Sequence, residues 1–378
     1  MAGNILDRQL TAPAAGEIQF TLAGDEDDAA VRRLLRENPM RGEITLSFER
    51  EPNYFHGFDI EGLETQTILA YESEQLLCMG RCSIQRRFVN GQIQRVGYLA
   101  DLRLDAQVQG RFDILRRGYQ FFRELHHNEP PEFYFTSIAA DNHRSIRLLE
   151  RGLSGMPAYE FLRDFVTLLI PVSRNAHKLR QLNCVRGSGE HLAELVSCLN
   201  SHAKQNQLAA FWTEDDLISL KGVGLALSDF QLVLAENKVI ACAALWDQRR
   251  FKQIVVREYN RKISVARPWI NLAAKLFGTP RLPTINSTLA FGLLSPLAIP
   301  ADKPELALAL IESILPIATE RGLEFCAIGF AADDSRLKTL RDHFRCREYN
   351  TRLYQVRWKD TNNPIFDGRA FLPELAFL

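Results

Sequence analysis

No apolar run in this sequence reaches about eighteen residues, the length a helix needs to cross a bilayer, so no membrane partner is expected. The opening stretch MAGNILDRQLTAPAAGE lacks the basic start and apolar core of a secretory leader and reads as a loose lead-in. No Cys-x-x-Cys and no His-x-x-x-His spacing occurs, so the usual zinc patterns are missing and no metal is expected. Cys78 and Cys82 read as two ordinary half-buried thiols, and His126-His127 as positive charge at a helix C-terminus. Seven cysteines without a leader point to reduced thiols in the cytoplasm. Excess charge is missing too: 46 basic and 46 acidic residues cancel, which argues against nucleic-acid binding driven by bulk charge.

What is present is a chain of ordinary globular composition, 46% apolar and 24% charged over 378 residues, long enough for two domains. Its most informative stretch runs from Val96 to Leu125. An apolar strand passes through the polar loop Gln107-Val108-Gln109-Gly110-Arg111 straight into an amphipathic helix beginning near Phe112. Amide groups at a helix start have no helical partner, and the helix dipole places partial positive charge there. Gly110 lets an anion approach the backbone closely, so the loop is a candidate pyrophosphate cradle.

The flanking elements support that reading. Upstream, two strand-like segments meet at Asn90-Gly91, a dipeptide suited to a two-residue hairpin turn. Downstream, PEFYFTSIAA reads as a buried strand. Asp141 to Gly152 then gives a polar start, a helix with Ile146 and Leu149 three apart, and a glycine stop. With a first strand at 17–23, a helix from Asp25, an aromatic stretch at 51–60 and a strand at 159–170, the order is β-α-α-β-β-β-α-β-α-β.

Two of these segments resemble motifs of the GCN5-related N-acetyltransferases (GNAT) over about the first 170 residues. Gln107 and Gly110 match the first and fourth positions of the acetyl-CoA loop Gln/Arg-x-x-Gly-x-Gly/Ala, with Phe112 where the family has a small residue. Asn142, Ser145, Leu148 and Gly152 match motif B if one residue before the glycine is missing. The resemblance implies an α/β (α+β) fold whose mixed, mostly antiparallel sheet splays between its fourth and fifth strands. It implies acetyl-CoA, or another acyl-CoA, as co-substrate. Leu102, Arg103 and Leu104 would offer backbone to the thioester, and Gln107, Val108, Gln109, Gly110, Arg111 and Phe112 would wrap the pyrophosphate. Asn142 and Ser145 would lie near the pantetheine. Arg103 and Arg111 serve equally well as solvated surface cations.

The second half repeats the plan, so the expected architecture is two tandem GNAT-like domains, 1–172 and 173–378, with the polar stretch PVSRNAHK (171–178) as linker. An additional segment, Arg249 to Pro283, stands where a hairpin turn belongs, and its middle has a helical pattern. The loop Ser295 to Pro304 holds no glycine, and each of its prolines removes an amide, so it is a poor anion cradle. The second half is therefore expected to be degenerate, a structural partner or a wall of the substrate pocket.

Transfer of an acyl group to an amine needs a base and often an acid. Asp101 is the candidate base: it stands in an apolar strand, where partial burial would raise its pKa. The competing reading is an ion pair with Arg103, Arg95 or another cation. The motif B tyrosine is replaced by Leu149, so no acid is assigned; Tyr119, Tyr134 and Tyr159 are nearby without a spacing argument. Tyr54, His56 and Phe58 fall where the family shapes its acceptor site, either as a pocket for a small amine or as core packing. The expected function is N-acyl transfer from acetyl-CoA to a small amine. The alternatives are an acyl-CoA-binding pseudoenzyme and, less favoured by the balanced charge, an aminoacyl-tRNA-dependent transferase.

Overall fold

The computed structural model describes residues 17–172, 184–277, 280–358 and 364–378. The lead-in, and the expected linker from residue 173 on, lie outside the described residues. The first half contains strands β1 (Ile18–Leu22), β2 (Ile44–Glu49), β3 (Glu64–Glu72), β4 (Gln75–Val89), β5 (Gln92–Leu104), β6 (Phe133–Ala139) and β7 (Ala158–Pro171). Its helices are α1 (Asp28–Glu37), α2 (Phe58–Glu61), α3 (Phe112–Leu125) and α4 (His143–Glu150). The second half contains β8 (Cys184–Arg186), β9 (Phe230–Ala235), β10 (Lys238–Trp246), β11 (Gln253–Tyr259), β12 (Phe291–Ala298), β13 (Phe325–Ala331) and β14 (Arg347–Arg357). Its helices are α5 (Leu192–Ala203), α6 (Glu214–Ser219), α7 (Arg261–Phe277), α8 (Pro304–Glu320) and α9 (Ser335–His343).

Twelve strands form one sheet in the order β1-β3-β4-β5-β6-β14-β7-β13-β12-β10-β9-β8. The closing strands of the halves are exchanged. β14 pairs with β6 of the first half (Thr351 opposite Ala139), whereas β7 pairs with β13 of the second (Phe325 opposite Pro171). The two exchanged strands also pair with each other, from Arg347–Leu169 to Arg357–Ala158, so each half completes the other's sheet. The Asn90-Gly91 turn forms as expected, both residues with positive φ (51° and 77°).

β5 and β6 run parallel and pair only over Val96–Tyr98 and Phe133–Phe135, then part. Gly97 permits that closeness, because a Cβ there would lie 2.3 Å from the Tyr134 ring. Beyond the fork, side chains replace backbone pairing: Thr136 donates to the Leu99 carbonyl at 2.7 Å, and Tyr98 and Ser137 hydroxyls meet at 3.1 Å.

β12 and β13 fork in the same way after Leu293 and Ala327. Their notch is filled. Leu372 packs with Ile299, Leu310 and Leu337 in one core cluster, and buried Glu374 accepts a hydrogen bond from Ser295. Leu372 and Glu374 thus occupy in the second half the place that stays open in the first.

The extra segment of the second half forms β11 and α7, and β11 reaches back to β2 as a separate two-stranded sheet (Gln253 opposite Glu49, Tyr259 opposite Ile44). Neither β2 nor this pairing was expected. Among the described residues no helix is long and apolar enough to cross a membrane, and no group of three or more His, Cys, Asp or Glu is placed to hold a metal.

Candidate active site

At the open fork, β4 and β5 slip out of register. Met79 faces Arg103 and Arg81 faces Ala100, so β5 carries one extra residue between them. Asp101 occupies this bulge with φ 53°, an uncommon conformation for a residue with a Cβ. A bulge leaves a backbone group out of the ladder and re-aims its side chain, and bulges recur beside active sites.

Here the Asp101 carboxylate accepts from Arg81 Nε at 2.8 Å and lies 3.9 Å from Arg50 Nε. Burial by itself would raise its pKa, but Arg81, Arg50 and Arg103 outweigh burial and hold it well below the usual carboxylate range. The expected rise does not occur, and the pairing cation is Arg81, not the Arg103 or Arg95 named from sequence. An Asp101 so held is a weak proton acceptor.

Glu61 completes the cluster. It pairs with Arg50 at 2.6 Å, with Arg81, and with Lys252 Nζ at 2.8 Å. Lys252 also donates to the Ala376 carbonyl at 3.1 Å. Burial, then the Arg50 and Arg81 guanidiniums, push its pKa well down, against the pull of Asp101. Sequence reasoning missed Lys252, which comes from the loop before β11.

Arg50, Arg81, Asp101 and Lys252 border a cavity of about 650 Å³ lined by both halves. One end is apolar and runs beneath α3 along Ile68, Ala70, Ile114, Leu115 and Leu149. The Tyr119 and Tyr159 hydroxyls, hydrogen-bonded to each other, also line it, and burial pushes Tyr119 up to about 12. The other end is walled by the second half, with Lys252, Ile254, Tyr259, Leu293 and Ala327.

Tyr54, His56 and Phe58 do not line this cavity. Tyr54 is fully buried and bonds Thr67 at 2.9 Å, and His56 is exposed against Phe251. Phe58 lies under Arg50 and Arg81, 5.2 and 5.6 Å from its ring centre. The aromatic stretch therefore supports the arginine cluster instead of shaping an acceptor pocket. Its large rings find their burial against one another, the outcome their size favours.

The cavity adjoins an open cleft of about 780 Å³ at the mouths of α3 and α4. Leu102, Arg103, Leu104, Gln109, Gly110, Arg111, Phe112, Asn142 and Ser145 line it. Gln107 points to solvent, and Val108 is buried in the core with Ile114 and Leu115. Asn142 caps α4, its side chain accepting from the Ser145 amide at 3.2 Å. Phe112 is 46% exposed and does not plug the loop.

The backbone nest is narrower than the sequence implies. The amides of Asp105, Gln107, Val108, Arg111 and Phe112 already donate to protein acceptors. Those of Ala106, Gln109 and Gly110 have no acceptor among the described residues. At the α3 mouth the anion is Asp113, its pKa lowered chiefly by Arg111, which it binds through both oxygens at 2.9 and 2.7 Å. Positive charge in the cleft comes instead from side chains: Arg41, Arg103, Arg144, Arg147 and Arg151 line it with Glu37 and Asp141, while Arg111 is already paired with Asp113. Gly110, at φ 100°, makes the turn that brings Gln109 to Arg144 at 2.7 Å.

Tyr349 lines both the cavity and the cleft, at their junction, beside Leu102, Asn142 and Leu149. It belongs to the exchanged strand β14, and burial pushes its hydroxyl up to about 12. Sequence reasoning missed it, because only the strand exchange brings it next to motif B.

No family model matches the sequence, and no curated protein is similar to it. Among solved structures, a GCN5-related N-acetyltransferase from Sphaerobacter thermophilus superimposes with a TM-score of 0.57 at 11% identity, covering 92% of this chain and 98% of that one. N-myristoyltransferase of Saccharomyces cerevisiae with bound myristoyl-CoA superimposes with a TM-score of 0.60 at 12% identity, over 97% of this chain and 86% of the other. The chain has the GNAT fold. The tandem arrangement fits the myristoyltransferase likeness.

Proposed function

We propose that the chain is an acyl-CoA-dependent N-acyltransferase with one transfer site, formed at the first-half fork. The carrying observation is the continuity of three parts: an arginine-lined cleft, a strand fork, and an apolar cavity reached through that fork. Phosphates of CoA suit the arginines of the cleft, which replace most of the expected amide nest. A cavity of about 650 Å³ has the size of pockets that hold drug-sized ligands, which favours an acyl chain longer than acetyl. The myristoyl-CoA held by the yeast neighbour agrees with that preference.

In this reading residues 1–172 bind the acyl-CoA and 173–378 supply the far wall and the closing strand. The backbone of the Asp101–Leu102 bulge, where β5 leaves register with β4, receives the thioester oxygen. The acceptor, a small amine entering as its ammonium, gives one proton to Lys252, whose depressed pKa suits a base. The freed nitrogen attacks the thioester carbon, the C–S bond breaks, and the second proton on nitrogen restores the one Tyr349 gives up. Ionised Asp101 holds the arginines and attracts the incoming ammonium. Tyr349 gives a proton to the departing thiolate in place of the motif B tyrosine.

The test is release of free thiol from acyl-CoAs of increasing chain length in the presence of a panel of amines. Amine-dependent release that improves beyond acetyl supports the proposal. Binding of acyl-CoA with no release across the panel would leave a binding protein only.

A further inference from the structure

We propose that α7 is a docking surface for an anionic lipid bilayer. Its sequence carries apolar residues at Val265, Pro268, Trp269, Leu272, Ala273 and Leu276, the spacing of a single helical stripe. In a helix packed on a protein this stripe would face the core. Here it faces outward: Val265 is 72% exposed, Trp269 73% and Leu276 75%.

The opposite face already holds the helix in place. Ile263 packs with Val256, Tyr259 and Leu282, Arg267 lies 5.4 Å from the Tyr259 ring centre, and Asn271 exchanges two hydrogen bonds with the Leu282 backbone. The outward stripe is therefore not needed to attach α7. An apolar stripe of this length, exposed on one side of an otherwise anchored helix, calls for a partner.

Charge identifies the partner's chemistry. Between Tyr259 and Ala301 the chain carries five basic residues, Arg261, Lys262, Arg267, Lys275 and Arg281, and no acidic one. Arg261 and Lys262 stand exposed at the start of α7, and Arg281 just beyond its end. The surrounding carboxylates, Glu43 and Glu258 at the β2–β11 edge and Glu324 near Arg281, lie outside this run. Trp and Leu immersed at the acyl boundary, with Lys and Arg among the headgroups, is how an amphipathic helix lies on an acidic membrane.

The expectation of no membrane partner rested on the lack of a spanning run, which does not bear on a helix lying on the surface. Tyr259 and Leu282, at the two roots of α7, line the apolar cavity, so docking would bring the cavity rim to the lipid. The inference stands without the acyl-transfer reading.

The test is sedimentation of the full chain with vesicles of phosphatidylcholine alone and of an equimolar phosphatidylcholine–phosphatidylserine mixture. Partitioning into the mixed vesicles should exceed that into phosphatidylcholine by about a hundredfold, as about three interfacial cations predict, and should weaken with added salt. Trp269→Ser combined with Leu272→Ser and Leu276→Ser should abolish binding. Arg261→Glu with Lys262→Glu should remove the preference for phosphatidylserine. All five positions are exposed, so circular dichroism should be unchanged. No binding to the mixed vesicles, or undiminished binding by the serine variant, would overturn the proposal. So would light scattering that shows a dimer split by the serine variant, because a second copy would then cover the stripe.

Discussion

Arg81 donates to Asp101 at 2.8 Å across the point where β4 and β5 lose register, so the bulge and the ion pair hold each other in place. The left-handed backbone at Asp101 costs about 1 kcal/mol or more by itself. The pair to Arg81, supported by Arg50 and Glu61, is what keeps it there. Removing one charge of a buried network leaves the others uncompensated, a loss of roughly 3 kcal/mol. Asp101→Asn should lower the urea midpoint accordingly, and Arg81→Met added to it should recover part of the loss. If the double variant is as unstable as the sum of the singles, the two residues do not act as a pair.

Tyr349 is placed where the missing motif B tyrosine would be useful, at the junction of cleft and cavity. A hydroxyl pushed up to about 12 stays protonated at neutral pH and can serve as a donor. Tyr349→Phe should lower kcat for thiol release by roughly a hundredfold, the lower end of acid–base contributions, with little change in KM. A leaving thiol of lower pKa needs less help, so a more acidic thioester analogue should narrow the gap between variant and wild type. An equal loss for both analogues would point to packing.

Acyl-CoA binding should show one site per chain, because the notch between β12 and β13 is filled by Leu372 and Glu374. Side chains carry the phosphate contacts, so Arg144→Gln and Arg147→Gln should each weaken binding by about tenfold in calorimetry. Gly110→Pro should weaken it further, because the ring forbids the φ of 100° on which the turn depends. Two equal sites would contradict the blocked notch. A full affinity in the double arginine variant would return the phosphates to the backbone.

The legible parts of this fold were those set by neighbours in sequence. The Asn90-Gly91 turn, the strand–loop–helix from Val96 to Leu125 and the cap at Asn142 are local, and each formed where its residues indicate. β2 was legible but unread: Ile44, Leu46 and Phe48 alternate with Thr45, Ser47 and Glu49, and the three apolar residues line the cavity. The strand exchange could not be read, since β7 and β14 have the same pattern whichever half they complete. With it went Tyr349, and with the long return of β11 went Lys252. Gln253 bonds Glu51 across 202 positions, and no periodicity reports such a contact. Asp101 was placed correctly in an apolar strand, but its pKa depends on Arg81 and Arg50, which come from other segments.

His202 gives the protein a defined acid sensitivity away from the site. It lies at the end of α5 beside Arg336, 3.5 Å away, which is itself buried over the Phe330 ring. Burial first, and then the Arg336 charge, lower the imidazole from 6.5 to about 4, with Asp334 opposing. The folded protein therefore keeps His202 neutral where the unfolded chain has already taken up a proton. Between pH 6.5 and about 4 the unfolded state binds more protons, so stability falls as pH falls through that window. From pH 7 to pH 5 the loss from this one group is about 2 kcal/mol. His202→Gln keeps a polar side chain without the titration, so its unfolding free energy in urea should drop by about 2 kcal/mol less than wild type over the same interval. Parallel pH profiles for the two proteins would show that His202 accepts its proton in the folded state, and that the Arg336 contact opens to allow it.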